Sequence, residues 1–155
     1  MTKVLVDIDG VLNPFLSSDL VGRGFSRVSE GWAEWMIHPQ HGDWLREIAQ
    51  HAEIVWATSW EVESSALSRM FLLGNITSIH FARVSRGDTW KLSGVQEYAR
   101  DIDEPIVWID DELGSDAENW AEQREDTLLI RCDPSVGFIE EQYATVLNFV
   151  RGIAR

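Results

Sequence analysis

Short apolar runs alternate with helix-spaced segments along most of the chain. Lys3–Asp7 is an apolar run that ends in an acid, and Glu53–Ala57 and Pro105–Ile109 have the same apolar character. Runs this short, apolar at nearly every position, suit parallel strands buried on both faces. Thr127–Cys132 reads as a further strand and Ser78–Ala82 as a weaker one. Between them, His41–Ala52 spaces Trp44, Leu45, Ile48 and Ala49 as one face of a helix does. Val62–Leu73 reads as a helix that stops near Gly74, and Leu92–Ile102, Ser115–Arg124 and Phe138–Ile153 as three more. The stretch from Phe15 to Pro39 is irregular, with Gly22, Gly24 and Gly31. Within it, Phe25–Ser29 and Trp32–Ile37 are placed to form a hairpin.

Strand–helix alternation predicts one α/β domain over residues 1–155, with an insertion at about 13–40. The expected architecture is a three-layer, Rossmann-like fold. Its central parallel sheet has about five strands joined by right-handed crossovers. Ligands of such sheets bind beyond the carboxyl ends of the strands. The polar residues of interest are therefore those directly after strands: Asp7 and Asp9, Thr58 and Ser59, Asp110 and Asp111.

Composition narrows the function classes. A length of 155 residues fits a single domain. The lone Cys132 excludes an internal disulfide and, inside an apolar run, reads as a small buried hydrophobe. No apolar stretch approaches the roughly 20 residues of a membrane span. The strand-like run begins almost at Met1, which leaves no room for a signal peptide. The expectation is a soluble, cytoplasmic protein with no membrane partner. The net charge is -13, and the 13 Lys and Arg residues are scattered. Affinity for a phosphate backbone needs clustered cations, so long nucleic acid is disfavoured as a partner, although a nucleic-acid end stays open. Eight Trp residues are many for this length. Packing accounts for most of them; for Trp32, Trp35 and Trp60 the favoured reading is that they pack the hairpin against the core, and the alternative is that they line the mouth of a site.

Four clusters carry candidate chemistry. In Asp7-Ile8-Asp9-Gly10-Val11-Leu12, two carboxylates sit one residue apart where a strand gives way to a turn. Gathering acids in this way is costly unless something compensates them. The plain alternative is an Asp- and Gly-rich turn. Thr58 and Ser59 offer hydroxyls and backbone N–H groups at a strand end, suited to a phosphate oxygen; the alternative is a helix cap. Lys91 stands just before a helix, where a cation is mildly unfavourable with the helix dipole, and Arg86 competes with it for a phosphate-facing role. Asp110 and Asp111 follow an apolar strand, and a hard divalent cation would compensate them.

In this order the clusters resemble the four motifs of the haloacid dehalogenase superfamily: DIDGVL (Asp7, Asp9), IVWAT (Thr58), Lys91 and WIDD (Asp110, Asp111). The resemblance spans Lys3 to Asp111. It implies strand order 5-4-1-2-3, a helical squiggle and a hairpin flap after the first strand, and a Mg²⁺ cofactor. It further implies Asp7 as nucleophile, Asp9 as general acid/base, and Thr58, Ser59 and Lys91 around the phosphoryl oxygens. The metal would be held by Asp7, Asp9 through its carbonyl, Asp110 and Asp111. Val11 departs from the Thr found in many members, Thr58 competes with Ser59, and Asp116 competes with Asp111.

The implied activity is hydrolysis of a phosphate monoester through an aspartyl-phosphate. The insertion is too short for a helical cap domain, so the member would be small and capless. Substrates would be small molecules, nucleotides or macromolecular ends. A nucleotidase or nucleic-acid-end phosphatase shares the mechanism, and a non-catalytic phosphate- or protein-binding module shares the fold. A receiver-type phosphoacceptor is disfavoured because its acidic pair precedes the phosphoacceptor in sequence, the reverse of the order here.

Overall fold

The computed structural model describes residues 1–82 and 87–152. In chain order the elements are β1 (Lys3–Val6), β2 (Ser26–Glu30), β3 (Ala33–Ile37), α1 (Pro39–Ile48), β4 (Glu53–Trp56), α2 (Ser64–Met70), β5 (Thr77–Ser78), α3 (Leu92–Ala99), β6 (Ile106–Asp110), α4 (Ser115–Gln123), β7 (Thr127–Arg131) and α5 (Glu140–Val150). The five-stranded sheet runs β5-β4-β1-β6-β7 and every pairing is parallel. Numbering those five strands by themselves and reading from the β7 edge gives the expected 5-4-1-2-3. β2 and β3 form a separate antiparallel hairpin.

The apolar runs have a direct cause in the packing. Along β1, Val4 and Val6 join one hydrophobic cluster and Leu5 the other; along β4, Ile54 and Trp56 alternate with Val55. Along β6, Val107 and Ile109 alternate with Ile106 and Trp108. Successive side chains point to opposite faces, so a strand covered on both sides must be apolar throughout. Helices α1, α2 and α5 contribute Leu45, Ile48, Ala66, Leu67, Val146 and Leu147 to one cluster. Val95, Ala99 and Ala117 of α3 and α4 line the other. Trp56 and Trp108 are fully buried, each worth roughly 1.5–3 kcal/mol or more in apolar burial. Cys132 is buried in the first cluster, and burial pushes its thiol up, away from the reactive thiolate.

Two boundaries differ instructively from the sequence expectation. The weak strand expected at Ser78–Ala82 is only Thr77–Ser78. Ile79 still donates to Trp56, but the Phe81 N–H goes to the Glu61 carboxylate, which takes the chain off the ladder. The last helix begins at Glu140 because Ile139 is extended, at φ -111° and ψ 165°, and caps the helix with its N–H donating to Gln142 Oε1. Its expected end, Ile153, lies outside the described residues. Among the described residues, no helix is long and apolar enough to cross a membrane.

Candidate active site

Register decides which acids meet. Val6 pairs with Ile109 across β1 and β6, so Asp7 and Asp110 fall side by side one step further on. Beyond Asp7 the chain makes one tight turn, in which the Ile8 carbonyl accepts from the N–H groups of Val11, Leu12 and Asn13. Gly10 within that turn has φ +78°, the left-handed region that side chains avoid. A Cβ there would lie 2.4 Å from Cγ of Asp111. Glycine thus lets the loop after β1 approach the loop after β6.

Lys91 lies between the two strand-end acids. Its Nζ is 2.8 Å from Asp7 Oδ2 and 2.7 Å from Asp110 Oδ2, and all three residues are buried. Asp7 Oδ1 also accepts from the Ile8 N–H at 2.7 Å, and Asp110 Oδ1 from the Glu112 N–H at 3.0 Å. Burial, with Asp110 beside it, holds Asp7 well above the usual carboxylate range in spite of Lys91. Burial and the charge of Asp110 push Asp111 up to about 6. Burial alone would lower Lys91, but the charges of Asp7 and Asp110 outweigh it and raise the ammonium. One cation therefore faces three carboxylates.

Asp9 is half-buried and held differently. Its Oδ1 accepts from Asn13 Nδ2 at 2.8 Å and its Oδ2 from the Trp60 indole at 2.7 Å. Thr58 is buried, and its hydroxyl accepts from the Trp60 backbone N–H at 3.1 Å. Ser59, its exposed neighbour, reaches the cleft. That cleft, about 440 Å³, is lined by Asp7, Asp9, Asn13, Ser59, Lys91 and Asp111, together with Phe15, Trp90 and Glu112. Asp7, Asp9, Ser59, Lys91 and Asp111 thus share the cleft, Asp110 is bonded to Lys91, and Thr58 is buried next to Ser59.

Asp116 is elsewhere. Its carboxylate accepts from the Thr89 hydroxyl and N–H and from the Ala117 N–H at the start of α4, contacts that hold it below the usual carboxylate range. Arg86 lies outside the described residues. Trp32, Trp35 and Trp60, the candidates for the mouth, are not among the residues lining the cleft. Trp35 points inward from β3 and is 1% exposed, Trp60 lies behind Asp9, and Trp32 is 76% exposed at the hairpin turn. The aromatic lining comes from Phe15 and Trp90, with the Trp90 indole bonded to Glu112 at 2.6 Å. Trp90 stands directly before Lys91, a signal the sequence did carry. Asn13 was legible only as part of a turn.

The donor set suits a hard cation. One oxygen from each of Asp7, Asp110 and Asp111 lies within 4.8 Å of the others. Mg²⁺ binds oxygen at about 2.0–2.1 Å and keeps several waters, so three converging carboxylates that leave room for solvent fit it. The single Lys91 leaves residual negative charge that such an ion would neutralise.

Compared with known families, residues 3–143 match the family described as the HAD domain in Swiss Army Knife RNA repair proteins. No curated protein matches the chain.

Proposed function

Because the chain belongs to that family of haloacid dehalogenase (HAD) domains, we propose that it is a magnesium-dependent phosphohydrolase that cleaves a phosphate monoester with Asp7 as nucleophile. The observation that carries this reading is the convergence of Asp7, Asp9, Lys91 and Asp111 on one open cleft at the carboxyl ends of β1 and β6.

An Asp7 oxygen attacks phosphorus, the ester P–O bond breaks, and Asp9 delivers a proton to the leaving oxygen. In the second half, Asp9 takes a proton from the water that attacks the aspartyl-phosphate, and Asp7 leaves as carboxylate. The net change is ester plus water to alcohol plus phosphate. Lys91 orients the Asp7 carboxylate and faces the transferring oxygens with its charge. The Ser59 hydroxyl offers a donor to a phosphoryl oxygen, and Thr58 holds the turn that presents it. Mg²⁺, held by Asp7, the Asp9 carbonyl, Asp110 and Asp111, would supply charge neutralisation for the phosphoryl group.

Two observations favour a nucleic-acid end as substrate. The family description speaks of RNA repair. The cleft is open, and Phe15 and Trp90 offer apolar ring surface beside the acids. The net charge of -13 opposes binding of long duplexes, not of a terminus.

The test is hydrolysis of p-nitrophenyl phosphate with and without Mg²⁺, by wild type and Asp7→Asn. Metal-dependent turnover abolished by the substitution is expected. Turnover that survives Asp7→Asn removes the nucleophile assignment, and wild-type inactivity on every ester tried removes the enzyme assignment. RNA oligonucleotides with a terminal phosphate, mononucleotides and phosphopeptides then rank the substrate classes. Preference for phosphopeptides would overturn the nucleic-acid reading.

A further inference from the structure

We infer that Trp60 is a positioning residue for Asp9, and that the β2–β3 hairpin sets the aim of the general acid/base through it. This rests on the phosphohydrolase reading above.

Both Asp9 oxygens are engaged by side-chain N–H donors, Asn13 at 2.8 Å and Trp60 at 2.7 Å. A carboxyl gripped at both oxygens cannot rotate freely about its terminal bond, so the donors fix its plane. Neither donor is free to move alone. Asn13 Oδ1 accepts from the Met36 N–H of β3 at 2.7 Å. The Trp60 ring meets Trp35 edge-on, with centroids 5.6 Å apart, and lies against Trp32 at 5.0 Å with a 35° tilt. Thr58 holds the Trp60 backbone. Every grip on Asp9 is thus tied to the hairpin or to the turn after β4. Trp60 is not among the residues lining the cleft, whereas Asp9 and Asn13 are, and its indole reaches the site through the bond to Asp9 Oδ2.

The consequence concerns one proton. As the bond from Asp7 to phosphorus forms and the ester P–O bond breaks, the proton passes from Asp9 to the leaving oxygen. Water replaces it in the second half-reaction. A phenolate or alkoxide needs that proton in order to leave, whereas p-nitrophenolate needs it far less. In that first half-reaction a misaimed Asp9 therefore penalises poor leaving groups selectively, whereas its role as base in the second half is the same for every ester. Damage to the fold would penalise all esters alike.

Trp60→Phe keeps an aromatic ring against Trp32 and Trp35 and removes the N–H donor. The expected result is a loss of kcat/KM, which reports the step that expels the leaving group, roughly tenfold greater for phenyl phosphate than for p-nitrophenyl phosphate, since general acid catalysis is worth about 10²–10⁴-fold in full. Equal losses on both esters, or none, overturn the inference. A second measurement needs no turnover. Of the eight Trp indole N–H resonances, one is expected to move upfield in Asp9→Ala, where its carboxylate acceptor is gone. If none moves, the contact does not operate in solution and the inference falls. Failure of the phosphohydrolase reading looks different: the wild type is inactive, or Asp7→Asn stays active.

Discussion

Lys91→Met tests the electrostatic core of the site. The ammonium is buried and bonded to Asp7 at 2.8 Å and Asp110 at 2.7 Å, so its removal orphans two carboxylates at once. Breaking a buried ion pair from one side costs about 3–5 kcal/mol. Asp7 keeps the Ile8 N–H, and Asp110 keeps the Glu112 N–H at 3.0 Å and the Trp108 indole at 3.3 Å. Those bonds hold the expected loss near the middle of that range, about 4 kcal/mol at pH 7. With a urea slope of about 2 kcal/mol per M, the unfolding midpoint drops by about 2 M. The pH dependence has a definite sign. Asp7 is already raised, by burial first and by Asp110 second, and without Lys91 it rises further. A folded state that holds protons more tightly than the unfolded chain gains stability as pH falls. The gap between variant and wild type therefore narrows from pH 7 toward pH 5. Mg²⁺ narrows it as well, because without the competing ammonium the folded variant binds the ion more tightly than wild type does. A deficit under about 1 kcal/mol at pH 7, or one that widens toward pH 5, refutes the reasoning.

Three further outcomes follow from other residues. His41 is buried, and burial lowers its imidazole to about 4. The unfolded chain binds the proton first, so this term is complete above about pH 6.5 and is lost as pH falls toward 4. It amounts to about 3 kcal/mol, and His41→Gln should flatten the pH profile of the thermal midpoint. Gly10→Ala places a Cβ 2.4 Å from Cγ of Asp111 at φ +78°; a loss of about 1–3 kcal/mol and a weakened calorimetric Mg²⁺ signal are expected. Asp116→Ala removes the acceptor at the start of α4 and should cost about 1 kcal/mol with Mg²⁺ affinity intact, whereas Asp111→Ala weakens the ion's binding.

The sheet was legible because burial on both faces writes itself into consecutive residues. Val4 to Val6 and Ile106 to Ile109 have no polar position to hide. The acids were legible because they interrupt such runs at their carboxyl ends. What escaped were contacts made by single side chains across long sequence gaps. Asp9 and Trp60 are 51 residues apart, and no periodicity marks an indole that bonds a carboxylate. Packing of Trp35 against the core is the favoured reading of the sequence, and the hairpin register that turns it inward, Val28 opposite Trp35, is not revealed by composition. That Asp111 and not Asp116 converges with Asp7 and Asp110 reflects Thr89, whose hydroxyl engages Asp116 at 2.6 Å across 27 residues of sequence.

The central position of β1 has a consequence for synthesis. β1 leaves the ribosome long before both its neighbours: Lys3 pairs with Glu53 on one side and with Ile106 on the other. A nascent chain that has reached α3 can dock β4 but not β6, so one hydrogen-bonding edge of β1 stays open until about a hundred residues beyond it have been made. Unpaired strand edges recruit other chains through their free N–H and C=O groups, and long-range parallel pairing is slow. The vulnerable interval in the life of this protein is therefore its own translation. Substitutions that delay β6 should surface first as lost soluble yield, before any defect is measurable in molecules that have finished folding.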